Sequence, residues 1–476
     1  MDIHSPEFKD NARIALHDVG LQKALGNLKA GFPVKRATAV ERMPEFEALR
    51  EEAKHLKNHI LEHLDLYLET FEQNVVKQGG HVHWCSTSAD AQKTILDICR
   101  SVDAKTVTKG KSMVSEEVNL NEYLEANGVT PVETDLGEYI LQLREDHPSH
   151  IIAPAIHLNL DDVSDAFSEH HKKPRSSDPA HLMQEAREVL RDHFVAADVG
   201  ITGANFLVAE TGSSIIVTNE GNGDLTQTLP ETHVVIASIE KVVPTLEDMS
   251  LFLRLLARSA TGQEFTVYNT LSTGPKRSDD QDGPKNYHVV LVDNGRSDML
   301  GSEFQEMLRC IRCSACMNHC PVYSAVGGHA YGWVYPGPMG SVLTPKMIGI
   351  DKAGHLPNAS TFCGKCESVC PVKIPLPKLM RHWRENEFEQ HLTPNTARYG
   401  IGAWAFLAKR PTLYRLGAKI GQRLLKWQAK DTGYISKLPF ADAWTATRDM
   451  PAPEGKTFME LYKEQQKEKQ KKEAKS

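Results

Sequence analysis

Apolar positions in the first 78 residues recur every three or four: Leu49, Ala53, Leu56, Ile60 and Leu64 form one stripe. That period predicts amphipathic helix, with Glu51, Lys54 and Lys57 turned to solvent. Residues 1–78 are therefore expected to form a helical packing arm, ended by Gly79-Gly80, because glycine commonly stops a helix.

The pattern changes at residue 79. Through 79–300, short apolar runs alternate with amphipathic stretches. Strands are predicted at His81–Cys85, Thr106–Thr108, Ile151-Ile152-Ala153, Phe206–Ala209, Ser214–Thr218, Val234–Ile239 and Tyr287–Asp293. One helix carries Ile95, Leu96 and Ile98 behind Ser88 as its cap, and another runs from Glu116 to Ala126 and stops at Gly128. Thr245-x2-Asp248 opens a third with a variant capping box, which turns Leu251, Leu255 and Leu256 inward. Strand–helix alternation argues for a layered α/β domain on a mostly parallel sheet. The polar stretch Lys276–Lys285 is expected to be an exposed loop.

Residues 301–380 lose both periodicities. Gly327-Gly328 and the run Gly332-Trp333-Val334-Tyr335-Pro336-Gly337-Pro338-Met339-Gly340 oppose long helices or strands. They predict a loop folded over a cofactor, with Trp333 and Tyr335 excluding water; the plainer alternative is a surface turn with two aromatic anchors. In 381–476, Trp404, Phe406, Leu407, Leu413, Leu416, Ile420, Leu424 and Trp427 interleave with Lys409, Arg410, Arg415, Lys419, Arg423 and Lys426. This predicts amphipathic helix packed on the protein's own body, or else lying on a membrane or a partner. Lys463–Ser476 has the composition of a disordered tail.

The chemistry lies in the cysteines. Cys310-x2-Cys313-x2-Cys316-x3-Cys320-Pro321 is followed by Cys363-x2-Cys366-x3-Cys370-Pro371. The first spacing wraps three thiolates around one iron–sulfur cubane and sends the fourth to a neighbouring cluster. Structural zinc favours paired Cys-x2-Cys knuckles, and a disulfide framework needs an oxidising compartment; neither suits the repeat. The crossed pattern assigns Cys310, Cys313, Cys316 and Cys370 to cluster one, and Cys320, Cys363 and Cys366 to cluster two. Ser360 stands where the second motif would carry its remaining cysteine. The fourth site of cluster two then falls to Ser360, another side chain, water or a partner's ligand, or is absent, as in a three-iron cluster. Cys85 and Cys99 lie in apolar stretches and are expected to be buried structural residues.

Composition narrows the rest. A chain of 476 residues holds two or three domains, and its formal charge of 55 − 62 = −7 gives no sign of nucleic-acid binding. No apolar run has membrane-spanning length, and Met1–Pro6 lacks the basic-then-apolar order of a signal peptide, so a cytoplasmic location is expected. Thr108-Lys109-Gly110-Lys111-Ser112 ends like a phosphate loop but lacks the upstream glycine; an anion contact through Lys109 or Lys111 stays open. Glu210-Thr211-Gly212-Ser213 and Asn219-Glu220-Gly221-Asn222 are candidate pocket loops or plain connections. The 21 histidines are scattered; His81 and His83 share one strand face, His170-His171 sits in a polar segment, and no spacing predicts a mononuclear metal site. No Gly-x-Gly-x2-Gly follows a strand, so no nicotinamide or flavin site is predicted. Catalytic residues are not assignable from these patterns.

Taken with Thr202-Gly203-Ala204-Asn205, Glu210–Ser213 and the Tyr-Pro-Gly-Pro-Met-Gly loop at 335–340, the two cysteine sets make the chain resemble, over nearly its full length, the lactate utilization protein B family of bacterial iron–sulfur proteins. The resemblance implies a LUD-like α/β domain at 79–300, similar to the sugar-phosphate isomerase and CoA-transferase fold. It further implies an α-helical ferredoxin-like module with two 4Fe-4S clusters at 301–380 and a helical region with a basic tail at 381–476. The implied role is an electron-transfer subunit in oxidation of L-lactate to pyruvate, passing electrons towards the respiratory chain. A cysteine-rich iron–sulfur subunit and a small LUD-domain protein would be its partners, with membrane association at most peripheral. The family pattern carries seven cluster cysteines. The alternative is a catalytic subunit that itself binds and oxidises the 2-hydroxy acid.

Overall fold

The computed structural model describes residues 3–430, 432–438 and 441–473. The chain divides into a body of residues 1–389 and a carboxy-terminal unit of residues 390–476. Met1 and Asp2, where the leader expectation begins, lie outside the described residues.

The arm is helical at Phe8–His17, Val19–Glu41, Phe46–Glu62 and Leu64–Lys77. Its stripe is buried as the period requires: Ala53 and Ile60 are fully covered. Lys57 corrects the solvent-facing expectation. It is 1 % exposed, and its Nζ donates to the Glu240 carbonyl at 2.6 Å. Helical period places a residue on a face; it does not say that a second layer covers that face.

Ten strands follow in the body: β1 His81–Cys85, β2 Thr106–Lys109, β3 Thr130–Glu133, β4 Val199–Gly203, β5 Phe206–Val208, β6 Ser213–Thr218, β7 Thr232–Ser238, β8 Val242–Val243, β9 Tyr268–Ser272 and β10 Asn286–Val292. Six form one sheet in the order β1-β10-β7-β4-β2-β3, and every pairing is parallel. β7 and β10 carry continuous apolar runs, at 234–237 and 289–292, because both faces are covered. Gly200 in β4 permits the close cover: a Cβ there would lie 1.8 Å from the Thr226 carbonyl of helix Asn222–Thr228. The remaining strands form a second, four-stranded sheet, β8-β5-β6-β9, of mixed direction. Alternation along the chain gave no sign of this separate sheet.

Several local expectations shift. Thr87, not Ser88, caps helix Ser88–Ser101, through a reciprocal box with Asp90. The helix expected over Glu116–Ala126 is two, Met113–Glu117 and Leu120–Ala126, broken at Asn119 with φ +51°. Ile151-Ile152-Ala153 is a loop, not a strand; the ring Nδ1 of His150 accepts from the Ile152 and Ala153 amides. An apolar triplet can be buried without a ladder when a side chain satisfies its amides.

The Gly/Pro segment also differs. Gly337–Ile348 is a helix of 12 residues with Pro338 in its first turn, where a missing N–H costs nothing. Gly340 lets that turn fold tightly back, since a Cβ would lie 1.6 Å from the Tyr335 carbonyl oxygen. Tyr335 is fully buried and Trp333 is 8 % exposed, so they are not surface anchors.

The carboxy-terminal unit holds helices Asn395–Ala408, Pro411–Gln428 and Phe458–Glu473. The first two bury none of their side chains; Trp404 is 64 % and Trp427 75 % exposed. The tail expected to be irregular is helical as far as Glu473, and Ala474-Lys475-Ser476 lie outside the described residues. Among the described residues no helix is long and apolar enough to cross a membrane.

Candidate metal centre

Cys310, Cys313, Cys316 and Cys370 line one cavity, together with Ile151, Ile311, Met317, Met339, Val372 and Ile374. Left-handed backbone at Arg312 (φ +57°) and Ser314 (φ +59°) curls the first motif so that its sulfurs converge. Backbone amides point at the sulfurs: Arg312 N–H donates to Cys310 Sγ and Ile374 N–H to Cys370 Sγ, each at 3.4 Å. Burial, reinforced by the neighbouring thiols, pushes the Cys313 and Cys316 thiols above their ordinary range. Thiols so crowded give up their protons readily only to a multiply charged centre. The donor set, the amides and the apolar wall therefore fit an iron–sulfur group.

Cys320, Cys363 and Cys366 form a second set: burial first, then the nearby thiols (Cys363 on Cys320; Cys320 and Cys363 on Cys366), pushes the Cys320 and Cys366 thiols up. Cys366 is buried, Cys320 is half-buried and Cys363 is exposed. Ser360 is half-buried; its hydroxyl accepts from the Phe362 amide at 3.2 Å and its carbonyl from Arg384 at 2.9 Å. Cys85 and Cys99 lie elsewhere, 3 % and 0 % exposed.

The arm reaches the first set. Arg50 donates to the Cys370 carbonyl through Nε at 2.9 Å and Nη2 at 2.7 Å, and Arg36 to the Val369 carbonyl at 3.0 Å. A buried chain of charge also reaches this set through Arg312. Glu117 takes two bonds from Arg296, at 2.9 and 2.6 Å, and one from the Tyr335 hydroxyl at 2.6 Å. Arg296 Nε faces Glu240 at 3.0 Å, and Glu240 meets Arg312 at 3.1 Å. Burial works to raise the Glu240 carboxyl, but Arg296 and Arg312 outweigh it and hold it down to about 2.

Beyond Arg312 lies another cavity, of about 270 Å³. It opens at the carboxyl ends of β2 and β4, where Gly110–Ser112 and Thr202–Asn205 line it. The chain runs outward from β2 to β3 on one side of this point, and from β4 through β7 to β10 on the other. Open α/β sheets bind ligands at such a switch point. Arg312 and Ile151 belong to the walls of both cavities.

Family models match the chain in three consecutive blocks: the LUD domain over residues 68–292, the 4Fe-4S dicluster domain over 306–374, and "Lactate utilisation protein B, C-terminal" over 381–467. Lactate utilization protein B of Bacillus velezensis is 42 % identical over 472 residues, covering 98 % of this chain and 99 % of that one. The chain belongs to the lactate utilization protein B family. The proteins of that name from Geobacillus kaustophilus (43 % over 470 residues, 98 % of each chain) and Bacillus subtilis (42 % over 465, 97 % of each) are similar to the same extent. A solved structure of a DUF162 family protein from Deinococcus radiodurans, 15 % identical, covers 48 % of this chain and 98 % of its own with a TM-score of 0.26, too distant to bear on the fold.

In this member of the lactate utilization protein B family, the candidate loops separate. Asn219-Glu220 and Asn222 line the switch-point cavity. Glu210–Ser213 does not: Gly212 packs against the arm, where a Cβ would sit 2.5 Å from the Val75 amide, and Glu210 accepts from the Leu246 amide at 3.1 Å. Lys111 lines the cavity and donates to the Ile152 carbonyl at 2.6 Å. Lys109 is withdrawn from any anion role, because its ammonium is buried between Glu133 at 2.7 Å and Glu116 at 2.8 Å.

Two clusters were invisible to spacing. Asp146, His157 and His329 come together from distant segments. His157 Nε2 pairs with Asp146 at 2.9 Å and its Nδ1 with Ser149 at 2.7 Å, while His329 Nε2 meets the His147 carbonyl at 2.8 Å. Glu138 lies beside Glu133 with both carboxyl oxygens buried and lacking hydrogen-bond partners among the described residues. Burial first, then repulsion by Glu133, raises its carboxyl well above the ordinary range. A carboxyl raised in the fold makes stability fall as pH climbs from the unfolded carboxylate value towards the folded one. Glu138→Gln is therefore expected to melt a few degrees above the parent near about pH 8, with the gain gone by about pH 4. Thermal scans at the two pH values check this; an equal gain at both would mean that no proton linkage is involved.

Proposed function

We propose that this chain is an iron–sulfur electron-transfer subunit in the oxidation of L-lactate to pyruvate, handing electrons towards the respiratory chain. The observation that carries the reading is the gathering of seven cysteines into two neighbouring sets, one enclosed and one reaching the surface. Cys310, Cys313, Cys316 and Cys370 would hold one 4Fe-4S cluster, and Cys320, Cys363 and Cys366 the other. Such clusters supply reversible storage of single electrons. The chain's own part is to exclude water from the enclosed set and to surround it with positive charge from Arg36, Arg50 and Arg312. Cations near the site favour the added negative charge of reduction. Exposure of Cys363 leaves the second set approachable by another protein. A cysteine-rich iron–sulfur subunit and a small LUD-domain protein are the partners we propose, in the cytoplasm.

The test is paramagnetic resonance of anaerobically purified protein before and after dithionite, with iron and sulfide assayed on the same sample. About eight irons per chain and two interacting signals on reduction are expected. L-Lactate should then reduce the centres when the partner subunits are added. Zinc in place of iron after anaerobic reconstitution would overturn the reading, as would undiminished growth on L-lactate of a strain lacking this gene and any second copy. A second reading, in which this chain also binds the hydroxy acid, draws on the cavity that shares Arg312 with the enclosed cysteine set.

A further inference from the structure

We propose that the switch-point cavity is a binding site for a small monocarboxylate of the 2-hydroxy or 2-oxo acid class, with Lys241 as the group that holds its carboxylate. This deepens the second reading above by giving it a place and a ligand residue, and it stands or falls apart from the electron-transfer role.

Lys241 carries the argument. It follows β7, lines the cavity and is 6 % exposed. Its ammonium makes no hydrogen bond and no close ion pair with any described residue; Glu240 and the Cys310 thiol act on it only through space. A buried ammonium without a hydrogen-bonded partner is costly, and an anion in the cavity is what would offset that cost. The other cations of the wall are committed: Arg312 to Glu240 at 3.1 Å, and Lys111 to the Ile152 carbonyl at 2.6 Å.

The wall also limits the ligand. The one cation of the wall without a hydrogen bond matches one negative charge; a dianion such as phosphate would bring a second charge with no such partner, and would face Asp135 and Glu220, which also line the cavity. Ile151, Ile216 and Leu256 make part of the lining apolar, as a short carbon chain requires. Asn205 supplies the polar contact beside them. Its Oδ1 is taken by the Val217 amide at 2.9 Å, which leaves its Nδ2 hydrogens for a hydroxyl or oxo group. At about 270 Å³ the space lies just below the usual ligand-pocket range of about 300–1,000 Å³, which suits a small acid.

The experiment uses the full chain, purified anaerobically with its iron, and titrates it calorimetrically with sodium pyruvate, sodium L-lactate and sodium phosphate. Saturable binding of one of the two carboxylates, with phosphate much weaker, is expected. Lys241→Met should weaken it at least about tenfold, the loss of one charge-assisted hydrogen bond, and Lys241→Arg should restore part of it, both at parental iron content. A second measurement needs no variant. Because the cavity shares Arg312 with the cysteine site, reduction of the protein should speed nuclear relaxation of the methyl protons of bound pyruvate. No saturable carboxylate binding to iron-replete wild type would overturn the proposal. So would phosphate binding as tightly, Lys241→Met binding undiminished, or relaxation indifferent to reduction. None of these results would disturb iron content or cluster reduction by dithionite, on which the electron-transfer reading depends.

Discussion

Cys370→Ala is expected to lose the iron of the enclosed set, about half the total, and to melt far below the parent, whereas Cys363→Ala should lose iron with little change in the fold. The difference follows from where the two thiols sit. Cys370 is 6 % exposed within the main apolar core, and its segment is tied to the arm by Arg50. Truncating it opens a void where Ile374, Leu376 and the first cysteine motif meet, and a core void costs in proportion to how poorly its walls collapse. Cys363 is exposed and borders no such core. Iron assay and thermal unfolding of both variants decide the matter; equal losses of melting temperature would contradict the enclosed-and-open arrangement.

Arg296→Met is expected to destabilise the body by about 3–5 kcal/mol, the usual result of removing one partner from a buried ionic network. Arg296 is fully buried and serves two carboxylates, Glu117 at 2.6 Å and Glu240 at 3.0 Å. Without it Glu117 keeps only Tyr335 and Asn294, and Glu240 keeps Arg312. The double variant Arg296→Met, Glu117→Gln should recover part of the loss, because one stranded charge is gone. The network also sets an acid limit. Glu240 is held at about 2 in the fold, so its contribution is present above the ordinary carboxylate range and is lost as pH falls towards that value. Denaturation of the single and double variants measures the coupling. Additive losses would mean that the two residues do not act together.

Much of the fold was legible because its signals are local. β1 covers the residues its alternation predicts, β6, β7 and β10 lie within a residue or two of theirs, and Leu251, Leu255 and Leu256 are buried as the period of their helix requires. Ile151–Ala153 misled because an apolar triplet marks burial, not a ladder, and His150 supplied the partner for its amides. Gly337-Pro338 misled because proline opposes the middle of a helix yet suits its first turn. In the candidate site, the cysteines were visible through short fixed spacings, while Lys241 and Glu240 carry no motif at all.

The sequence by itself determined the cysteine spacings, the helical and strand periods and the turn residues, since each depends on groups a few positions apart. Tertiary structure alone decided that Lys57 and Lys241 are buried, that Arg296 joins Glu117 to Glu240, and that one arginine, Arg312, walls both the cysteine cavity and the end of the sheet. Those facts rest on desolvation and on pairings across many tens of residues, which no periodicity records.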